Sequence, residues 1–242
     1  MKRLLPLAYL SVASCFLFSC EREIVEPSLN ATSVSEARSG ACTNYSYYNK
    51  MSEAVKFGRA RGELILVGFA EGMSLQARQQ VLGRFPQFQS VEGEIAVDSG
   101  IITVVRLAPG SECSDVEKLL TRLVKESSIS FANPFFESNS TDPEAPITGL
   151  SNEILVFIEE GSLDKLEQLV AQTNTKIVAS YSDEIHVLSV DKNSSGSILN
   201  ITTLLNQQAF VLGAEPNLVY SFPATATSGG EINFQTTKTR RK

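Results

Sequence analysis

The side chains able to do chemistry are few, and their spacing argues against catalysis. His186 is the chain's single histidine. It lies inside the alternating run "EIHVLSV", with nothing to pair it into a recognisable nucleophile arrangement, so it reads as a core or surface histidine. Acid pairs stand at Glu159 and Glu160 and at Asp183 and Glu184, each beside a turn signal, where solvating charge is a simpler role than general acid and base. Phosphate loops and nucleotide fingerprints are absent, and no cofactor is expected. One histidine and no CxxC spacing leave too few ligands for a metal. The four cysteines say more. Cys15 and Cys20 end an apolar N-terminal run, while Cys42 and Cys113 lie further along. In an oxidising compartment the latter two are a possible disulfide, and closing a loop of that size contributes roughly 4 kcal/mol in the chain-entropy picture.

The N-terminus supplies the compartment. "MKRLLPLAYLSVASCFLFSC" has a basic start, an apolar stretch and small residues before cysteine, which reads as an export signal over residues 1–20. Both "VASC" and "LFSC" resemble the lipobox of bacterial lipoproteins, whose cysteine is acylated and becomes the first mature residue. Cys20 is the preferred lipidation site, because polar, acidic sequence, "EREIVEP", follows it at once, whereas cleavage before Cys15 leaves "FLFS" exposed. The expectation is a protein of the cell envelope, held to a bacterial membrane through that lipid. A net charge of -6 and a pI near 5.0 exclude an electrostatic grip on nucleic acid, since the basic run is confined to the C-terminal end. At 43% apolar and 20% charged over 242 residues, the chain can bury one large core or two small ones.

Residues 21–61 sustain no apolar period and read as a flexible tether, with a helical turn or two at its end. Regularity begins with "ELILVGF" at 63–69, of strand length. "SLQARQQVLGRF" follows at helical spacing behind Ser74 as N-cap. "FQSVEGEIAV" and "IITVVRL" make two strands about the turn Asp98-Ser99-Gly100. "SDVEKLLTRLVKE" opens with Ser114 three residues before Glu117, a capping box, and "ISFA" runs on into "NPFFE".

The order then repeats. "EILVFIEEG" answers "LILVGFAEG", "SLDKLEQLVAQT" is a helix, "KIVASY" and "EIHVLSV" form a hairpin about Ser182 and Asp183, "SILNITTLLNQQ" is the second helix and "VLGAEPNLVY" the last strand. Pro134 echoes in Pro216, and Pro143 and Pro146 mark a linker. The fold class is therefore α+β, two tandem ferredoxin-like βαββαβ domains with antiparallel sheets, over residues 62–138 and 152–222, with a linker at 139–151 and a disordered tail at 223–242. In the runs 64–69 and 154–158, and again at 101–105 and 185–190, both alternation classes are apolar, which points to a covered second sheet face; the two copies pack on each other, or the first and third strands of each copy are simply central, or a partner protein docks there.

Each copy resembles the prosegments of subtilisin-like serine proteases, also known as free-standing proteinase inhibitors. The likeness rests on "ILVGF", on "VVRL" followed by "PG", on the second helix and on the endings "FANPFF" and "GAEPNLVY". It covers 63–138 closely and 153–222 more loosely, with "VDKNSS" where the family favours a Pro-Gly turn. The resemblance implies that the sheet's outer face lies against a protease and that the segment after the last strand enters the cleft as an added strand. The protease-contact residues would be Pro134, Phe135, Phe136, Glu137, Ser138, Asn139 and Ser140, with Tyr220, Ser221 and Phe222 in the second copy. No His-Gly-Thr or Gly-Thr-Ser-Met stretch of the protease itself occurs, so the resemblance implies a subtilisin-like serine protease inhibited, or assisted in folding, in trans. The alternative is a non-inhibitory cell-envelope scaffold or binding lipoprotein.

Overall fold

The apolar runs at 63–69 and 153–158 become the central strands of two equivalent modules. The computed structural model describes residues 42–136, 146–221 and the backbone of 234–236. In chain order the elements are β1 (Tyr45–Tyr48), β2 (Ala54–Gly58), β3 (Ala60–Phe69), α1 (Leu75–Leu82), β4 (Phe88–Val97), β5 (Gly100–Leu107), α2 (Cys113–Leu123) and β6 (Ile129–Phe136). The second half follows with β7 (Ile147–Ile158), α3 (Leu163–Thr173), β8 (Lys176–Ser180), β9 (Ile185–Ser189), α4 (Ile198–Gln207), β10 (Val211–Ser221) and β11 (Phe234–Thr236). Module 1 runs β6-β3-β5-β4 across its sheet and module 2 runs β10-β7-β9-β8, all antiparallel. Both have the strand order of a ferredoxin-like βαββαβ unit, and the fold is α+β.

The repeated proline is explained by this order. Pro134 pairs with Ile65 and Pro216 with Ile154, equivalent positions of the two first strands. Each proline lies on the last strand of its module, outside the stretch of that strand paired on its second side, which is Phe135 and Phe136 of β6 and Val219 to Ser221 of β10, a position where a missing N–H is tolerated. The turn after each first strand repeats too, with Gly72 at φ 78° and Gly161 at φ 71°, values that a side chain disfavours.

Helices α1 and α2 cover one face of module 1, where Ile65, Val67, Val105, Leu107, Leu119 and Leu123 form the core. Helices α3 and α4 do the same for Ile154, Val156, Ile158, Leu166, Leu188 and Leu205 in module 2. Ser74 caps α1 as the sequence implies, its hydroxyl accepting the Ala77 N–H at 3.3 Å. The box at α2 is shifted from its expected place. The helix starts at Cys113, the Glu112 N–H donates to the Asp115 carboxylate at 3.1 Å, and Glu117 is left free to accept the Thr43 N–H at 2.8 Å. The free edge at β4 carries Glu92 and Glu94, paired to Arg106 at 3.0 Å and to Arg78 at 2.6 Å, charges that deter a further strand.

Two sequence-based boundaries are corrected. Within the span 21–61, expected to be a tether, residues 45–58 form the hairpin β1–β2, because Tyr45 and Tyr47 alternate with polar residues opposite Val55 and Phe57 and find an apolar surface to cover. Within the expected linker 139–151, residues 147–151 belong to β7. That longer strand pairs with β6 through Phe135↔Gly149 and Phe136↔Thr148, and so joins the two modules in one nine-stranded sheet among the described residues. Gly149 permits the junction, since a Cβ there would stand 2.8 Å from the Phe135 ring and 2.9 Å from Leu66.

Candidate functional site

The expected protease-contact residues fall inside the molecule or outside its described part. Pro134, Phe135 and Phe136 belong to β6 and are buried, Phe135 at 0% and Phe136 at 2% exposure. Phe136 is held between Tyr45 and Phe57, with ring centroids at 5.2 and 4.9 Å, at the seam between modules. Tyr220 and Ser221 are ladder residues of β10, flanked by β7 on one side and β11 on the other. Glu137, Ser138, Asn139, Ser140, Phe222 and the lipidation candidate Cys20 lie outside the described residues. An extended cleft-entering strand beginning at Phe136 or Tyr220 is therefore corrected: both side chains are committed to strands of the fold.

The sheet face that a prosegment would offer is occupied as well. On the side of module 1 away from its helices, Leu64, Leu66, Ile102, Val104, Phe131 and Phe135 join Val219 and Ile147 of the second half in one apolar cluster. Ile102 and Val104 are 1% and 0% exposed, so that face is closed. Of the two covers considered from the sequence, the other copy is the one found here.

A polar seam fixes the contact. Glu153, fully buried, accepts the Ser99 N–H at 2.6 Å and the Asn217 amide at 2.9 Å, while the Ser99 hydroxyl donates to Asn152 at 3.0 Å. The Tyr181 hydroxyl donates to Asp98 at 2.6 Å, and the Asn133 amide donates to the Ser151 carbonyl at 2.8 Å. The tip of the β4–β5 turn thus docks on module 2. Buried charge is tolerated only when its acceptors are filled, and both Glu153 oxygens are.

A serine–base contact exists that the sequence reading passed over. His186, 1% exposed, faces the Ser180 hydroxyl at 2.8 Å through Nδ1 and the Asp183 carbonyl at 3.2 Å through Nε2. A carbonyl only accepts, so Nε2 carries a proton, and Nδ1 shares a hydrogen bond with the Ser180 hydroxyl. Both contacts tie strands β8 and β9 to the turn between them. The signal was the directly paired register Ser180↔His186, which appears only once the hairpin is built. The acid pairs at 159–160 and 183–184 are exposed, and no group of three or more metal-ligating side chains occurs among the described residues.

The β1–β2 hairpin is tied to both modules. Cys42 and Cys113 form a disulfide, with Cα atoms 5.9 Å apart, that fastens the hairpin's entry to α2. Its tip lies on α4: the Tyr48 N–H donates to Thr203 Oγ1 at 3.1 Å, the Asn206 amide donates to the Tyr48 carbonyl at 3.1 Å, and Lys50 Nζ donates to the Gln208 carbonyl at 2.6 Å. Burial, and secondarily the Glu117 carboxylate, pushes the Tyr45 phenol well above its ordinary range; burial, and then Glu215, raises Tyr47. The alternation of Tyr45 and Tyr47 with serine and tyrosine, and of Val55 with Phe57, was the signal that could have found it.

No protein-family model matches the chain, and no curated protein matches it. Among solved structures it is similar to the acetolactate synthase small subunit from Thermotoga maritima, at 14% identity over 73% of this chain and 97% of that one, with a TM-score of 0.28.

Proposed function

We propose that the protein is a non-catalytic binding or scaffold lipoprotein of a bacterial cell envelope, anchored through Cys20 and built from two prosegment-like modules that serve as one unit. The observation that carries this reading is the closed face of module 1, where Leu64, Leu66 and Val104 are packed with Val219 and Ile147 instead of being offered to a protease. A cross-link between Cys42 and Cys113 supports an oxidising, exported setting, since such bonds persist outside the cytosol. No helix among the described residues is long and apolar enough to cross a membrane; in this reading the N-terminal lipid is the membrane anchor.

Two measurements test it. Acyl labelling and detergent-phase partitioning should mark the wild-type protein and be lost in Cys20→Ser; labelling that persists in the variant transfers the role to Cys15, and no labelling of the wild type removes the lipid. The folded chain should leave a subtilisin-like protease uninhibited at stoichiometric ratios. Competitive inhibition by the intact chain would favour the second reading, a protease inhibitor or folding assistant in trans, which the twofold βαββαβ order supports.

A further inference from the structure

We propose that the β1–β2 hairpin is a redox-releasable strap: the Cys42–Cys113 disulfide holds it across both modules, and reduction by a dithiol frees β1 from α4. The inference does not depend on what the protein binds.

The hairpin has two covalent attachments to module 1. One is the chain itself, since β2 ends at Gly58 and β3 starts at Ala60. The other is the disulfide, reinforced by the Thr43 N–H on the Glu117 carboxylate at 2.8 Å. Between these attachments the strap crosses to module 2, where Thr203, Asn206 and Gln208 on and just after α4 hold Tyr48 and Lys50. Strand β1 pairs with β2 and with no other described strand. The disulfide is therefore the attachment nearest β1, and opening it leaves a four-residue strand held by one ladder and a few contacts, while β2 stays tethered through β3.

Both cysteines are partly exposed, which gives a thiolate access. The exchange balances without any further reactant. A reductant thiolate attacks one sulfur, breaking the protein S–S bond and forming a mixed disulfide; the reductant's second thiolate then displaces the remaining protein sulfur, so that Cys42 and Cys113 gain two electrons and the dithiol's two protons and become thiols while the dithiol is oxidised to a cyclic disulfide. Release of β1 takes Tyr45 off the Phe136 ring and uncovers the α4 edge at Thr203 and Asn206, so the seam between modules opens on one side.

Hydrogen exchange read by mass spectrometry on the full mature chain, before and after dithiothreitol, tests this, with alkylation confirming that both thiols have formed. Exchange over residues 43–50 should accelerate on the order of tenfold or more, while β3, β5 and β7 stay protected. The Cys42→Ser, Cys113→Ser double variant should show the same fast segment without reductant. Unchanged protection over 43–50 after complete reduction overturns the proposal, as does equal acceleration across all strands, which would make the bond a staple of the whole fold.

Discussion

Glu153 sets the residue scale: a fully buried carboxylate whose oxygens accept the Ser99 N–H and the Asn217 amide decides how the β4–β5 turn seats on module 2. Asn217→Asp would place a second carboxyl against it. The expected result is a loss of about 3 kcal/mol in urea unfolding, because a donor to the buried carboxylate is replaced by a like charge. An unchanged unfolding midpoint would show that the Asn217 amide does not hold Glu153. Gly149 works by having no side chain, because a Cβ there would press on Phe135 and Leu66 where β6 meets β7. Gly149→Ala should cost about 1–3 kcal/mol by thermal or urea unfolding, an overpacking penalty. The sequence offered both residues without their meaning. Glu153 stands at the head of the apolar run "EILVFIEEG", and Gly149 sits in the expected linker at 139–151.

At the scale of the element, the β1–β2 hairpin carries the clearest pH dependence. Tyr45 and Tyr47 have phenols raised above the ordinary value of 10.0, chiefly by burial. A folded-state value raised above the unfolded one means that folding favours the protonated phenol. That stability is fully present below about pH 10 and is lost as the pH rises beyond it. Alkaline titration followed by tyrosinate absorbance should show two phenols resisting ionisation and then ionising together as the hairpin leaves α4; in Tyr45→Phe one of them disappears and the transition moves to higher pH. Independent early ionisation of both phenols would show that the hairpin does not bury them. This element was partly legible. Alternating aromatic residues were present, but a strand pair with no apolar run of its own becomes ordered only where α2, α4 and Phe136 supply a surface and the disulfide shortens the search.

At the scale of the molecule, the two modules share a sheet and a buried face, which changes what either can do alone. A fragment of residues 60–136 would expose Leu64, Leu66, Ile102, Val104 and Phe135, all buried in the intact chain. The expected outcome is strong binding of an apolar dye and self-association during size-exclusion chromatography, with neither seen for residues 42–221. A monomeric, dye-silent fragment would show that module 1 does not need its neighbour. The same dependence sets the fragment's value as a protease inhibitor: the face it would use is the face it cannot keep soluble.

Element order within each module was determined by the sequence alone, because it rests on local signals. Strand and helix periods differ, Ser74, Gly72 and Gly161 punctuate them, and the echo of Pro134 in Pro216 marks two copies of one unit. Two-sided apolar strands also announced a covered face. What covered it was a tertiary decision, since Val219, Ile147 and the Ser99–Glu153 contact lie far along the chain from the strands they close. The fate of Phe136 was decided in the same way. A proline followed by aromatics can run into a cleft or into a core, and the choice depends on whether Tyr45 and Phe57 stand beside it, which no local period encodes.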